Sequence, residues 1–208
     1  MHNSKIRLFV FLCFFRLIAL GTNTFAAPDS SAAQVIAKVR NALNSIKPFQ
    51  VSFVQQVYTD NQVDIQESGD IIFKDDQQLK WTYRDPDFKV FLLEGEDYKF
   101  YDEDNEQLMI GKVKDKNQQW IWQLLFADDI LPDARWEIST ETIHIDSKSR
   151  DIHVQVIINN LFLPVKVSQK DPSGARMVYL FNTYLKNISL PSDTFKLDVP
   201  ANVEVVHD

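Results

Sequence analysis

Sulfur chemistry is nearly missing from this chain. Its one cysteine, Cys13, lies inside an apolar N-terminal run, so everything downstream is without disulfides, cysteine nucleophiles or cysteine metal ligands. Histidine is scarce too: past residue 26 there are only His144, His153 and His207. No Gly-x-Ser-x-Gly, His-Glu-x-x-His or phosphate loop occurs, which leaves hydrolytic, zinc-protease and nucleotide chemistry without its usual residues. The acidic runs Asp102-Glu103-Asp104 and Asp128-Asp129 read as solvated loops rather than acid/base pairs, so no catalytic residue, cofactor or metal is expected.

Positive charge is also in deficit. The 22 Lys and Arg face 29 Asp and Glu. Residues 1–26 hold Lys5, Arg7 and Arg16 and no acid, so without them the balance is 19 to 29, a net charge of −10. Such a surface repels phosphates, which argues against nucleic acid and against stable adhesion to anionic lipid.

Long apolar runs are absent as well. Leu8 to Leu20 is interrupted by Arg16 and falls short of the roughly 20 residues of a membrane-spanning helix. Preceded by Lys5 and Arg7 and followed by Thr24-Phe25-Ala26, it reads as a secretory signal peptide over residues 1–26, leaving residues 27–208 as one domain.

What the chain does have is a run of half-buried strands from Gly69 to Tyr101 with aromatics at period-two spacing. A three-residue loop at Asp75-Asp76-Gln77 sets Phe73 opposite Leu79, Ile71 opposite Trp81 and Gly69 opposite Tyr83. A loop at Asp60-Asn61-Gln62 sets Val57 opposite Ile65, Phe53 opposite Gly69 and Val51 opposite Ile71. Three rows of side chains follow on one face: Phe49-Phe73-Leu79, Val51-Ile71-Trp81 and Phe53-Gly69-Tyr83. Val90 and Leu92 of the next strand are assigned to the same face. A face this rich in rings must be covered, either by ordinary core or by an apolar ligand, and pattern alone leaves both open.

Ser31 to Ile46 opens with the capping box Ser31-x-x-Gln34 and puts Ile36, Val39, Leu43 and Ile46 on one helical face before Pro48 ends it. Trp120 to Leu131 is apolar nearly all round, with Trp120, Trp122, Leu125 and Phe126 its largest members. From Arg135 onward strands return, ending with a last strand through Phe195, Leu197 and Val199. Consecutive hairpins without long crossovers imply an antiparallel sheet. A turn at Lys148-Ser149 would face His144 with His153, a pair too small for structural zinc.

In Phe53-x-Gln55, Gly69-Asp70, Trp81-x-Tyr83-x-x-Pro86, Gly95, Phe100-Tyr101-Asp102 and Phe195-x-Leu197-x-x-Pro200 with Val203 and Val205, the chain resembles the LolA-type periplasmic outer-membrane lipoprotein carriers. The resemblance implies an α+β fold: an antiparallel, unclosed half-barrel whose helices cover an apolar cavity for lipoprotein acyl chains. Its floor would be Phe49, Val51, Phe53, Ile71, Phe73, Leu79, Trp81, Tyr83, Val90 and Leu92. Its lid would be Ile36, Val39 and Leu43 with Trp120, Trp122, Leu125 and Phe126. It also implies a monomeric periplasmic chaperone whose partners are lipoproteins, an inner-membrane lipoprotein-releasing ABC exporter and an outer-membrane lipoprotein receptor. The residues before Cys13 are Phe11-Leu12, unlike a lipoprotein-processing site, which sets the chain apart from the membrane-anchored receptor of the same fold. In one respect it departs from the family: Asp75 stands where an arginine often latches the lid. Rivals are a phospholipid- or glycolipid-binding module, a sensor of lipoprotein stress and, less well supported, an enzyme acting on lipid or cell wall.

Overall fold

The computed structural model describes residues 30–75, 77–112, 135–139, 141–147, 152–170 and 174–207. The signal-peptide segment and Trp120, Trp122, Leu125 and Phe126 lie outside the described residues. One helix is described, α1 (Ser30–Ser45). The strands are β1 (Phe49–Thr59), β2 (Gln62–Asp75), β3 (Gln78–Asp85), β4 (Lys89–Glu94), β5 (Asp97–Asp102), β6 (Gln107–Lys112), β7 (Arg135–Ser139), β8 (Thr142–Ser147), β9 (Ile152–Ile158), β10 (Pro164–Lys170), β11 (Arg176–Leu185) and β12 (Glu204–His207). They form one unclosed sheet in the order β12-β6-β5-β4-β3-β2-β1-β11-β10-β9-β8-β7.

The register of β1 to β3 is the one read from the sequence. Phe49 pairs with Phe73, Val51 with Ile71 and Phe53 with Gly69, while Ile71 pairs with Trp81 and Phe73 with Leu79. Both turns reach that parity by another route. Asp60 and Asn61 take positive φ (50° and 63°) in a two-residue turn, and a bulge between Val57 and Tyr58 restores the one-residue offset. Between β2 and β3, Asp75 pairs directly with Gln78, and an irregularity between Phe73 and Asp75 does the same work. Asp75 Oδ1 accepts the Gln77 backbone N–H at 2.9 Å, so this carboxylate caps the turn. Gly69 sits where a Cβ would come within 1.9 Å of the Thr82 carbonyl oxygen, an approach only glycine permits.

Four expectations are corrected. Val90 and Leu92 pair with Thr82 and Lys80, on the outer face, while Phe91 and Leu93 pair with Trp81 and Leu79 on the inner one. The run Val90–Leu93 is buried on both faces, so it carries no alternation from which a parity could be chosen. The sheet is mixed rather than purely antiparallel, because β12 runs parallel to β6. Phe195, Leu197 and Val199 form no strand: that segment keeps alternating burial but crosses behind the sheet, where Lys80 Nζ donates to the carbonyls of Thr194 (2.9 Å) and Lys196 (3.3 Å). His153 pairs with Asp146 and His144 with Gln155, two residues out from the expected register, and His153 Nδ1 lies 2.6 Å from Asp146 Oδ1.

The helix reads as expected. Ile36, Val39, Leu43 and Ile46 are all buried and join one cluster with the inner-face residues of β1 to β5 and β8 to β11. The spacing of three and four residues that built this stripe in the sequence is what lays the helix on the sheet.

Candidate functional site

The inner face is an aromatic floor. Phe53 stands at its centre, edge-on to Trp81 (centroids 5.2 Å) and to Tyr83 (5.1 Å), and Trp81 stacks on Tyr83 at 5.8 Å with planes 7° apart. The flat gap at Gly69 gives these rings room to meet above the sheet. Phe49 leans on Phe73 at 4.9 Å. From the far side of β1, Tyr179 meets Trp81 edge-on at 5.4 Å and stacks on Phe181. Of the ten floor residues expected from the sequence, Phe49, Val51, Phe53, Ile71, Phe73, Leu79, Trp81 and Tyr83 share this face and belong to one buried cluster with the apolar stripe of α1. Phe91, Leu93, Tyr98, Phe100, Tyr179 and Phe181 join them.

One end of the floor is polar, and sequence reasoning passed over it. Gln55 and Glu67 face each other across β1 and β2, and Tyr83 faces Lys89 across β3 and β4. All are buried: Gln55 is 3 %, Glu67 8 % and Lys89 6 % exposed. The Tyr83 hydroxyl donates to Gln55 Oε1 at 2.7 Å, Gln55 Nε2 donates to Glu67 Oε2 at 3.4 Å, and Lys89 Nζ donates to Glu67 Oε1 at 2.6 Å. The ammonium also lies 5.8 Å from the Tyr83 ring centroid. A signal for this cluster was present, since Gln55 is a polar residue at an inward position between Phe53 and Val57.

Burial pushes the Tyr83 phenol well above its ordinary value of 10, helped by Tyr179 and the Glu67 carboxylate. It raises Tyr179 and Tyr184 in the same direction. A phenol is neutral when protonated, so a folded-state value above the unfolded one stabilises the fold below pH 10, and that contribution is lost as pH rises through and beyond 10. The expected outcome is cooperative alkaline unfolding in which the buried tyrosines ionise only with the loss of structure. Tyrosinate absorbance followed alongside circular dichroism checks it: ionisation of all tyrosines near pH 10 in a still-folded chain would contradict it.

A separate surface pocket of about 420 Å³ lies among Pro86, Asp87, Phe88 and the carboxylates of Glu103, Asp104 and Glu106. Its lining is mainly polar and offers little to an apolar chain. Among the described residues no group of three or more His, Asp or Glu side chains is placed to hold a metal, and no helix is long and apolar enough to cross a membrane.

The family described as outer membrane lipoprotein carrier protein LolA matches residues 44–198, which runs from the end of α1 through every described strand but the last. The chain belongs to the LolA family. An outer-membrane lipoprotein carrier protein of Pseudoalteromonas translucida is 26% identical over 192 residues, covering 86% of this chain and 87% of that one. Its counterpart from Pseudomonas paraeruginosa is 26% identical over 211 aligned positions, covering 94% and 97%. In fold, the chain is similar to an uncharacterised conserved protein of Thermus thermophilus (TM-score 0.58, 12% identity, 86% of this chain and all of that one). It is also similar to a chain of the Pseudomonas aeruginosa MucA/MucB complex (TM-score 0.53, 11% identity, 85% and 64%). Asp75, which stands where the resemblance leads one to expect a lid arginine, instead caps the β2–β3 turn through its Oδ1.

Proposed function

We propose that this LolA-family chain is a periplasmic carrier that takes lipoproteins from an inner-membrane ABC exporter, shields their acyl chains against the inner face beneath α1, and hands them to an outer-membrane receptor. The observation that supports it is the continuous ring floor, which shares one buried apolar cluster with the stripe Ile36, Val39, Leu43 and Ile46 of α1. The names of its relatives, outer-membrane lipoprotein carriers, point the same way. Exporter and receptor, the signal peptide over residues 1–26 and a monomeric state belong to the same reading.

Energetics shape the mechanism. At roughly 0.8 kcal/mol per methylene, one fully buried 16-carbon chain gains on the order of 12 kcal/mol, too much for ready release. The carrier offsets this by breaking helix-to-floor contacts on loading and re-forming them on release, so that cargo replaces packing rather than water. With no phosphate loop, the chain draws the work of extraction from its partner.

Native purification from the periplasm followed by mass spectrometry tests the reading. Intact triacylated or diacylated proteins should copurify, and the carrier itself should begin at Ala27. Recovery of phospholipid or glycolipid in place of lipoprotein would overturn it in favour of a lipid-binding module.

A further inference from the structure

We infer that the Lys89–Glu67 pair is a carbonyl seat that selects acyl groups bound as neutral esters or amides over lipids that bear a free anionic head. The inference rests on the acyl-carrier reading and adds the specificity of its polar end.

Both Glu67 oxygens are engaged, by Lys89 and by Gln55, and both ends of the Gln55 amide are engaged, by Tyr83 and Glu67. Lys89 has three N–H donors and makes one hydrogen bond among the described residues. It is therefore the member of the cluster with donors to offer. Those donors lie beside the Tyr83 ring, at the end of the floor where an apolar chain lying along Phe53 and Trp81 would run out. An acyl chain ends in a carbonyl, which loses its water on entering such a site and needs a donor in return.

Charge sets the preference. The Lys89 ammonium is matched by Glu67, and Asp102, also buried, is its neighbour across β4 and β5. The Asp102 carboxylate accepts from Asn105 (Nδ2 at 2.8 Å), so one carboxylate faces one ammonium and the pair carries no positive excess; a fatty carboxylate or a phosphate meets the Glu67 charge where a neutral carbonyl meets a hydrogen bond. A buried ion pair is seldom more stabilising than apolar residues of similar volume, so its presence in an otherwise aromatic floor fits recognition better than stability.

Purified carrier beginning at Ala27, titrated with dioctanoylglycerol, its dialkyl ether analogue dioctylglycerol, and octanoate, by displacement of a fluorescent acyl probe, tests this. The ester should bind about tenfold tighter than the ether, the worth of one hydrogen bond to a charged group. Octanoate should bind more weakly than the ester. Lys89→Met should bring ester and ether together, and Glu67→Gln should strengthen octanoate relative to the ester. Because Lys89→Met strands a carboxylate, the double variant Glu67→Leu/Lys89→Leu is measured beside it: folded, it should bind both glycerols without preference. Equal binding of ester and ether by the unmodified chain, or a tenfold preference that survives the double variant, overturns the inference and leaves the carrier reading intact. Failure of all three ligands to displace the probe would remove the carrier reading itself.

Discussion

Trp81→Glu should abolish acyl-ligand binding and lower stability by about 3–5 kcal/mol, the range for losing a large buried aromatic. Trp81 is 6% exposed and lies between Phe53, Tyr83 and Tyr179, at ring distances of 5.2 to 5.8 Å. A carboxylate there has no described cation at contact range and must either protonate or draw water onto the floor; either result removes the surface that a hydrocarbon chain would cover. Lys80→Met supplies the contrast. Lys80 is the next residue along β3, but it points to the outer face and holds the carbonyls of Thr194 and Lys196. Its loss should loosen the C-terminal segment while acyl binding stays unchanged. Displacement titrations on both variants, at a temperature where each is folded by circular dichroism, decide the matter. Folded Trp81→Glu that binds acyl ligand as well as the unmodified chain would show that the ring face is plain core.

The same pair of neighbours shows what could be read in the sequence and what could not. Between β1 and β3 every strand alternates and every turn is short, so one parity alone keeps Phe53, Ile71 and Trp81 together, and the structure has it. Each turn has two residues rather than the expected three, yet each irregularity restores the parity, because burial of the face outweighs the preference of a particular turn. Alternation fails where both faces are covered. Val90 to Leu93 are apolar throughout, and only the pairing of Thr82 with Val90 reveals which of them look inward. It fails again where a segment is extended without joining a ladder: Phe195, Leu197 and Val199 alternate in burial because the chain lies across the back of the sheet. Helix α1 was legible for the opposite reason, since a single apolar stripe at Ile36, Val39 and Leu43 has one thing to do. The polar cluster was hidden because Glu67 and Lys89 are distant in sequence and ordinary in type. Only the register brings them to one side of the sheet.

Leu43→Ala should weaken the empty protein and strengthen its grip on cargo. Leu43 is 1% exposed at the centre of the helix stripe, so truncation should cost about 2–4 kcal/mol of stability through lost contacts and the cavity left behind. If α1 is a cover, those contacts exist in the empty state and are given up when a chain enters, so removing them raises the free energy of the empty closed state and leaves the loaded state nearly untouched. Apparent affinity for an acyl ligand should then rise, by about tenfold for each 1.4 kcal/mol of that difference. Val178→Ala is the control. Val178 is as deeply buried, on the outer face of β11 opposite Gln56, and its truncation should lower stability without tightening binding. Urea unfolding and probe titration on the same preparations give both quantities. Opposite signs for stability and affinity in Leu43→Ala identify a displaceable cover. A fall in both would mean that α1 is a fixed wall of the site, that cargo must enter through some other part of the half-barrel, and that the offset needed for release does not come from this helix.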